Sequence, residues 1–387
     1  MRHWKLPEGV DELLPPAAWQ LERIRRRVLD VFRAWGFEYV DPPVIEYLDA
    51  LLVGTGTDMD LQTLKVVDQR TGRLLGVRAD MTSQAARIDA HSLPADGVQR
   101  LCYAGTVVHA NPPAPLDTRV PLKAGAEIFG AGTLAADAEV IALLLEVLRA
   151  NGVAAPVLVL GHMGIYHGLA EALALDDDER AALFTAVQNK SETDIAELLG
   201  SRPGAEMAVR LPTLMGRREV LNEAREALAA APPAVAEAID ALERLADLVL
   251  ARCPGVVLRF DVAELAGYGY HNGPVFSAYQ ADRGSALARG GRYDGIGRAF
   301  GRARPATGFD VSLKQLLAPE PDDQRAIWVP LHDGVAARPP ALMEELRRLR
   351  EAGEIVVCAV AEDEQPPVRC DRVLVESGGS WTVQPRK

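Results

Sequence analysis

The stretch LARGGRYDGIG at 287–297, followed eleven residues later by GFDVSLKQL at 308–316, decides the reading of this chain. Its glycine pair, Gly290 and Gly291, permits a close backbone approach, and a strand-end turn needs the same freedom. Arg292 and Tyr293 serve either a site or simple packing at the start of the next helix. Working outward, strands are expected at 284–290, 274–280 and 256–262, so the run belongs to a sheet.

The chain has 387 residues, 48% of them apolar, enough for two domains or for one large domain with an appendage. The N-terminal MRHWKLPEGVDELLPP lacks a basic start with an apolar run behind it, and no stretch is apolar enough to span a bilayer. A cytoplasmic, non-membrane protein is expected. Cys102, Cys253, Cys358 and Cys370 include no CxxC pair, so buried thiols are expected rather than a metal or disulfide framework. With 54 acidic against 42 basic residues the net charge is −12. Nucleic-acid binding rests on cations that neutralise phosphates, so no nucleic-acid partner is expected. Arg23, Arg25, Arg26 and Arg27 fall on the polar side of a helix whose apolar positions are Leu21, Ile24, Val28, Val31 and Phe32.

Pro15 and Pro16 open that helix, which runs to Trp35 and closes at Gly36. Strands follow at 37–47 and 62–78, the second a hairpin turning at Thr71 and Gly72. A helix over 82–90 leads to strands at 99–109 and 119–130, joined by the proline-rich NPPAPLDT. Ile141, Leu144, Leu145 and Leu148 mark an amphipathic helix over 134–150. Residues 168–251, rich in Ala, Leu and Glu, read as a helical insertion. APEPDDQ at 318–324 reads as a linker between a 1–318 domain and a small α/β domain at 325–387, with AIWVPL, a helix near 338–352 and EIVVCAV. That unit has nine Lys and Arg against ten Asp and Glu.

Walker, GxGxxG, HExxH and GxSxG patterns are absent. His162 and His167 stand five apart, off the i, i+4 spacing of a helical zinc pair, and read as structural or capping residues. No metal and no cofactor is expected.

In order, VRADMTSQAARI (77–88), RLCYAGTVVHANPP (100–113), PLKAGAEIFG (121–130), LARGGRYDGIG and GFDVSLKQL resemble the core of histidyl-tRNA synthetase, a class II synthetase, over about residues 6–318. The resemblance implies an α+β fold: an antiparallel sheet flanked by helices, a dimer-forming helix at 16–35 and a histidine pocket on the sheet.

The departures bear on function. His109 stands where the family has an α-phosphate arginine, Asn111 where it has an adenine-contacting glutamate, and Gln315 where it has a second arginine. A third arginine falls at or near Ala266. A charge-assisted hydrogen bond contributes about 1.5–3 kcal/mol against about 0.5–1.5 for a neutral one. At roughly 1.4 kcal/mol per tenfold in rate, three such losses remove several orders of magnitude from adenylation. Arg119 remains in the same loop.

The amino-acid side is fuller. The resemblance implies Asp80 and Thr82 at the substrate α-amino group and Glu127 at the imidazole, with Lys123 replacing a glutamine near the amino group. Lys123 would repel an ammonium unless Asp80 or Glu127 pairs with it. The aromatic partner of the imidazole is Tyr268, Tyr270 or His271. Asp80 also reads as a helix cap, and Glu127 also reads as an exposed strand residue.

A synthetase body with no anticodon-domain equivalent and without its arginines resembles the regulatory subunits of ATP phosphoribosyltransferase. That resemblance implies a non-catalytic protein, a short-form catalytic partner, a homodimer within a hetero-octamer, and histidine as effector of the first step of histidine biosynthesis. Two rival expectations are an active histidine-adenylating enzyme, with His109 and Arg119 taking over phosphate contacts, and a scaffold with a vestigial pocket.

Overall fold

The computed structural model describes residues 5–53, 57–93, 96–111, 117–265, 271–281, 283–318, 325–331 and 339–386. The chain divides into two compact units, Met1–Leu317 and Ala318–Lys387. The expected linker falls mostly outside the described residues.

The first unit is built on nine strands: β1 (Glu38–Tyr39), β2 (Gln99–Thr106), β3 (Leu122–Phe129), β4 (Val157–His162), β5 (Met215–Gly216), β6 (Val257–Asp261), β7 (Pro274–Tyr279), β8 (Ala288–Arg292) and β9 (Ala306–Ser312). Their order is β1-β2-β3-β9-β8-β7-β4-β6-β5. The six strands from β2 to β4 in that order are antiparallel throughout, whereas β1 joins β2, and β6 joins β4, in parallel. The sheet is therefore mixed, with the expected antiparallel centre.

Its helices include α1 (Ala17–Ala34), α2 (Thr82–Arg87), α3 (Leu134–Ala150), α4 (Met163–Ala172) and α5 (Pro233–Arg252). α1 buries Ile24, Val28 and Phe32; of its arginines Arg26 and Arg27 are exposed, with Arg26 paired to Glu22 at 3.0 Å, whereas Arg23 and Arg25 are half-buried. α3 is buried on nearly every side.

Strand alternation then assigns each residue a side. Ala124, Ala126 and Ile128 of β3, with Phe309 and Val311 of β9, join the main core beneath the helices. Lys123, Gly125 and Glu127, with Gly308 and Asp310, take the opposite face.

Several boundaries move from expectation. The 37–47 strand breaks into Glu38–Tyr39 and Ile45–Tyr47, because Pro42 and Pro43 have no N–H to donate. Ile45–Tyr47 pairs instead with the 64–67/74–77 hairpin as a separate small sheet, the hairpin turning where Gly72 takes φ +71°. The strand expected over 284–290 starts at Ala288, because the loop closes only where Leu287 N donates to Ala278 O. The strands at 157–162 and 306–312 went unread in the sequence. Residues 168–251 are helical as expected, apart from the two-residue β5 at the sheet edge.

The second unit is a four-stranded sheet of Ala326–Val329, Ile355–Cys358, Cys370–Ser377 and Ser380–Pro385, with the helix Pro340–Glu351 packing Leu342, Leu346 and Leu349 into its small core. All four cysteines are unpaired. No helix is long and apolar enough to cross a membrane among the described residues.

Candidate functional site

On the sheet face away from the main core lies a cavity of about 740 Å³, lined at one end by Thr82, Glu127, His271 and Tyr293 and at the other by Gln62, Thr118, Ser285, Lys314 and Gln315. Glu127 is its buried focus, 1% exposed, which rules out the exposed-strand reading. Three hydroxyls converge on it from distant elements. Tyr103 of β2 donates to Oε1 at 2.7 Å, Thr82 of α2 donates to Oε1 at 3.1 Å, and Tyr293, just past β8, donates to Oε2. Burial dominates the carboxyl and lifts it to about 8, although Tyr293 and Tyr103 pull the other way.

The glycines make this arrangement possible. Gly308 pairs with Glu127 in register, and a Cβ there would overlap Glu127 Oε2. At Gly125 a Cβ would stand 2.5 Å from the Tyr103 ring, and at Gly291 it would stand 2.7 Å from His271 Cδ2. Gly290 faces the other way and leaves room for the Phe276 ring. The glycine pair thus relieves both sides of the sheet.

Asp80 lies just behind the cavity wall. Its Oδ2 accepts from the backbone N–H of Thr82 at 3.1 Å, one residue ahead of the N-cap position Met81, while Oδ1 is buried without a partner among the described residues. Burial raises its carboxyl, and the Lys123 ammonium opposes the shift. Lys123 itself donates to Asp310 Oδ2 at 3.0 Å. Lys123 thus has Asp310 as a partner and also acts on Asp80 through its charge; sequence reasoning overlooked Asp310, whose one signal was a lone acid in the apolar run GFDVS. Tyr103 was missed as well. Tyr293 proves to be more than packing.

His271 lines the cavity with its ring edge-on to Tyr293, centroids 6.1 Å apart. Tyr268, Tyr270 and Ala266 lie outside the described residues. Arg292 does not reach the cavity: it turns beneath the sheet to Asp137 Oδ2 at 2.9 Å and to the carbonyls of Ala131 and Thr133. His162 is a capping residue, its Nδ1 accepting from Gly164 N at 3.0 Å, with burial lowering its imidazole to about 4.

The positions that would meet a nucleotide are uncharged or turned away. His109 Nε2 donates to Ala79 O at 3.1 Å, and burial first, then Lys123, lowers its imidazole toward the neutral form. Its Nδ1 has no partner among the described residues. Gln315 lines the cavity with a neutral amide, and Asn111 is exposed away from it. Arg119 donates to His109 O at 3.0 Å and Glu8 O at 3.3 Å and does not line the cavity, against the expectation that it takes over phosphate contacts.

Residues 9–316 match the family model for histidyl-tRNA synthetase, and residues 324–384 match that for the ATP phosphoribosyltransferase subunit HisZ C-terminal domain. The chain is 46% identical to an ATP phosphoribosyltransferase regulatory subunit of Chromohalobacter salexigens, covering 99% of this chain and 98% of that protein. It is 48% identical to one of Alkalilimnicola ehrlichii, covering 99% and 97%. A crystal structure described as an ATP phosphoribosyltransferase regulatory subunit/histidyl-tRNA synthetase from Bacillus halodurans superposes with TM-score 0.79 at 26% identity, over 92% of each chain. A histidyl-tRNA synthetase from Nostoc shares the fold, with TM-score 0.77 at 15% identity over 99% of this chain and 97% of that one.

Proposed function

Because the chain belongs to the family of ATP phosphoribosyltransferase regulatory subunits, we infer that its cavity reports histidine to a catalytic partner. The chain is a non-catalytic, regulatory component of histidine biosynthesis. The partner in this reading is a short-form catalytic subunit that condenses ATP with phosphoribosyl pyrophosphate. Homodimers of this chain join it in a cytoplasmic hetero-octamer that takes no nucleic acid.

The observation that carries the sensing reading is the enclosed Glu127 carboxyl beside a cavity lined by His109 and Gln315 where the synthetase family has phosphate-binding arginines. In this reading Glu127 accepts from the imidazole N–H, and Asp80 Oδ1, which lacks a partner among the described residues, receives the α-ammonium with help from the Thr82 hydroxyl. Lys123 is held by Asp310 and so does not repel that ammonium. His271 packs against the ring, with Tyr268 or Tyr270 as its aromatic companion. The altered positions His109, Asn111, Ala266 and Gln315 supply no guanidinium to an adenylate. The 1–318 domain senses, and the 325–387 domain stands apart from that role.

For histidine to regulate, it must bind one state of the assembly more tightly than the other. The test is reconstitution: short-form catalytic subunit assayed with and without this chain, and with histidine added. Activity that needs the chain and falls with histidine is expected. Equal activity with and without the chain overturns the assignment.

A further inference from the structure

A bound amino acid carries a carboxylate as well as an ammonium, and burying it without a cation is costly. Among the described residues three cations line the cavity. Lys123 is held by Asp310 and Lys314 by both oxygens of Asp11, each at 3.0 Å. Arg289 is exposed into the cavity and makes no hydrogen bond or ion pair among the described residues. The undescribed segments PPAPL at 112–116 and AGYGY at 266–270 contain no Lys or Arg.

Strand register puts Arg289 on the face that bears Glu127. Glu127 neighbours Gly308, Gly308 neighbours Gly291, and Arg289 follows Gly291 by two residues, beside Asp310. Two strand spacings of about 4.8 Å and two residues of about 3.4 Å separate the two Cα atoms by about 12 Å. Free histidine measures roughly 6 Å from ring nitrogen to carboxyl by its covalent geometry. With a hydrogen bond of about 3 Å at each end it bridges groups about 12 Å apart, the separation of two side chains that rise side by side from those Cα positions on one face of the sheet.

We propose that Arg289 is the carboxylate anchor of this pocket, selecting a free α-amino acid over its alcohol, amide or ester. The inference rests on the sensing reading above. A planar guanidinium suits the task, because it meets a carboxylate with two parallel N–H bonds.

The test is calorimetry on the full chain, alone and in the reconstituted complex, with histidine and with histidinol, which lacks the carboxylate. Wild-type chain should bind histidine about 10- to 100-fold more tightly than histidinol, the range expected for a charge-assisted contact. R289M should reduce histidine to the histidinol level and leave histidinol unchanged, and R289K should recover part of the loss. Because the side chain is exposed, the melting temperature should stay put. An R289M chain that keeps wild-type histidine affinity, or that loses both ligands equally, overturns the anchor and leaves the sensing reading intact. No binding of either ligand to the wild-type chain, alone or in complex, overturns both.

Discussion

Glu127 and Gly308 are direct neighbours on adjacent strands, and the missing Cβ of Gly308 is the space that the Glu127 carboxyl occupies. The buried acid, its three hydroxyl donors and the cavity beside it all depend on that missing atom.

Gly308→Ala should therefore displace Glu127 from Tyr293, whose hydroxyl meets the same Oε2 that the new methyl would overlap. Overpacking of this kind costs about 1–3 kcal/mol. Thermal melting should show the loss, and histidine binding should fall with it. Gly284→Ala, where a Cβ meets nothing within 4 Å, is the control. Equal melting of the two variants would contradict the overlap.

Stability should carry a pH signature from Glu127. Its carboxyl sits near 8 in the folded chain against an ordinary 4.5, chiefly through burial. The folded state holds a proton that the unfolded state releases across that window. The group's contribution is therefore fullest below about pH 4.5 and declines as pH rises towards 8, by up to about 1.4 kcal/mol per pH unit. Gln cannot titrate, so E127Q should gain on wild type between pH 5 and 8 in denaturant unfolding. Parallel pH profiles would show that the acid is already ionised.

The buried Arg292–Asp137 pair ties the end of β8 to the first turns of α3. R292M leaves the Asp137 carboxyl buried without its cation and should cost about 3–5 kcal/mol. Urea unfolding of R292M and of R292M/D137L should show the double variant recovering part of the loss. A single variant as stable as wild type would place the pair among dispensable contacts.

Adenylation should be absent. Three missing guanidinium contacts at about 2 kcal/mol each correspond to about four orders of magnitude in rate. Histidine-dependent exchange of pyrophosphate into ATP should stay at background, and sustained exchange would reinstate the enzymatic reading.

What could be read from the chain alone was whatever lies in one residue or one short run. The order of the five motifs announced the synthetase-like body, and the replacements at His109, Asn111 and Gln315 announced the loss of chemistry, because a side chain's charge is a property of its own position. The helical insertion and the capping His162 were legible for the same reason: helical periodicity and caps are local.

The site itself was decided by tertiary structure. Thr82, Tyr103 and Tyr293 meet at Glu127 from positions up to 166 residues away from it, and Lys123 finds Asp310 across 187. Those meetings follow from which strands lie side by side and in what register, since a slip of one residue would send every side chain to the opposite face. No single strand's sequence contains that register, so Asp310 and Arg289 looked like ordinary strand residues until β9 and β8 were set beside β3.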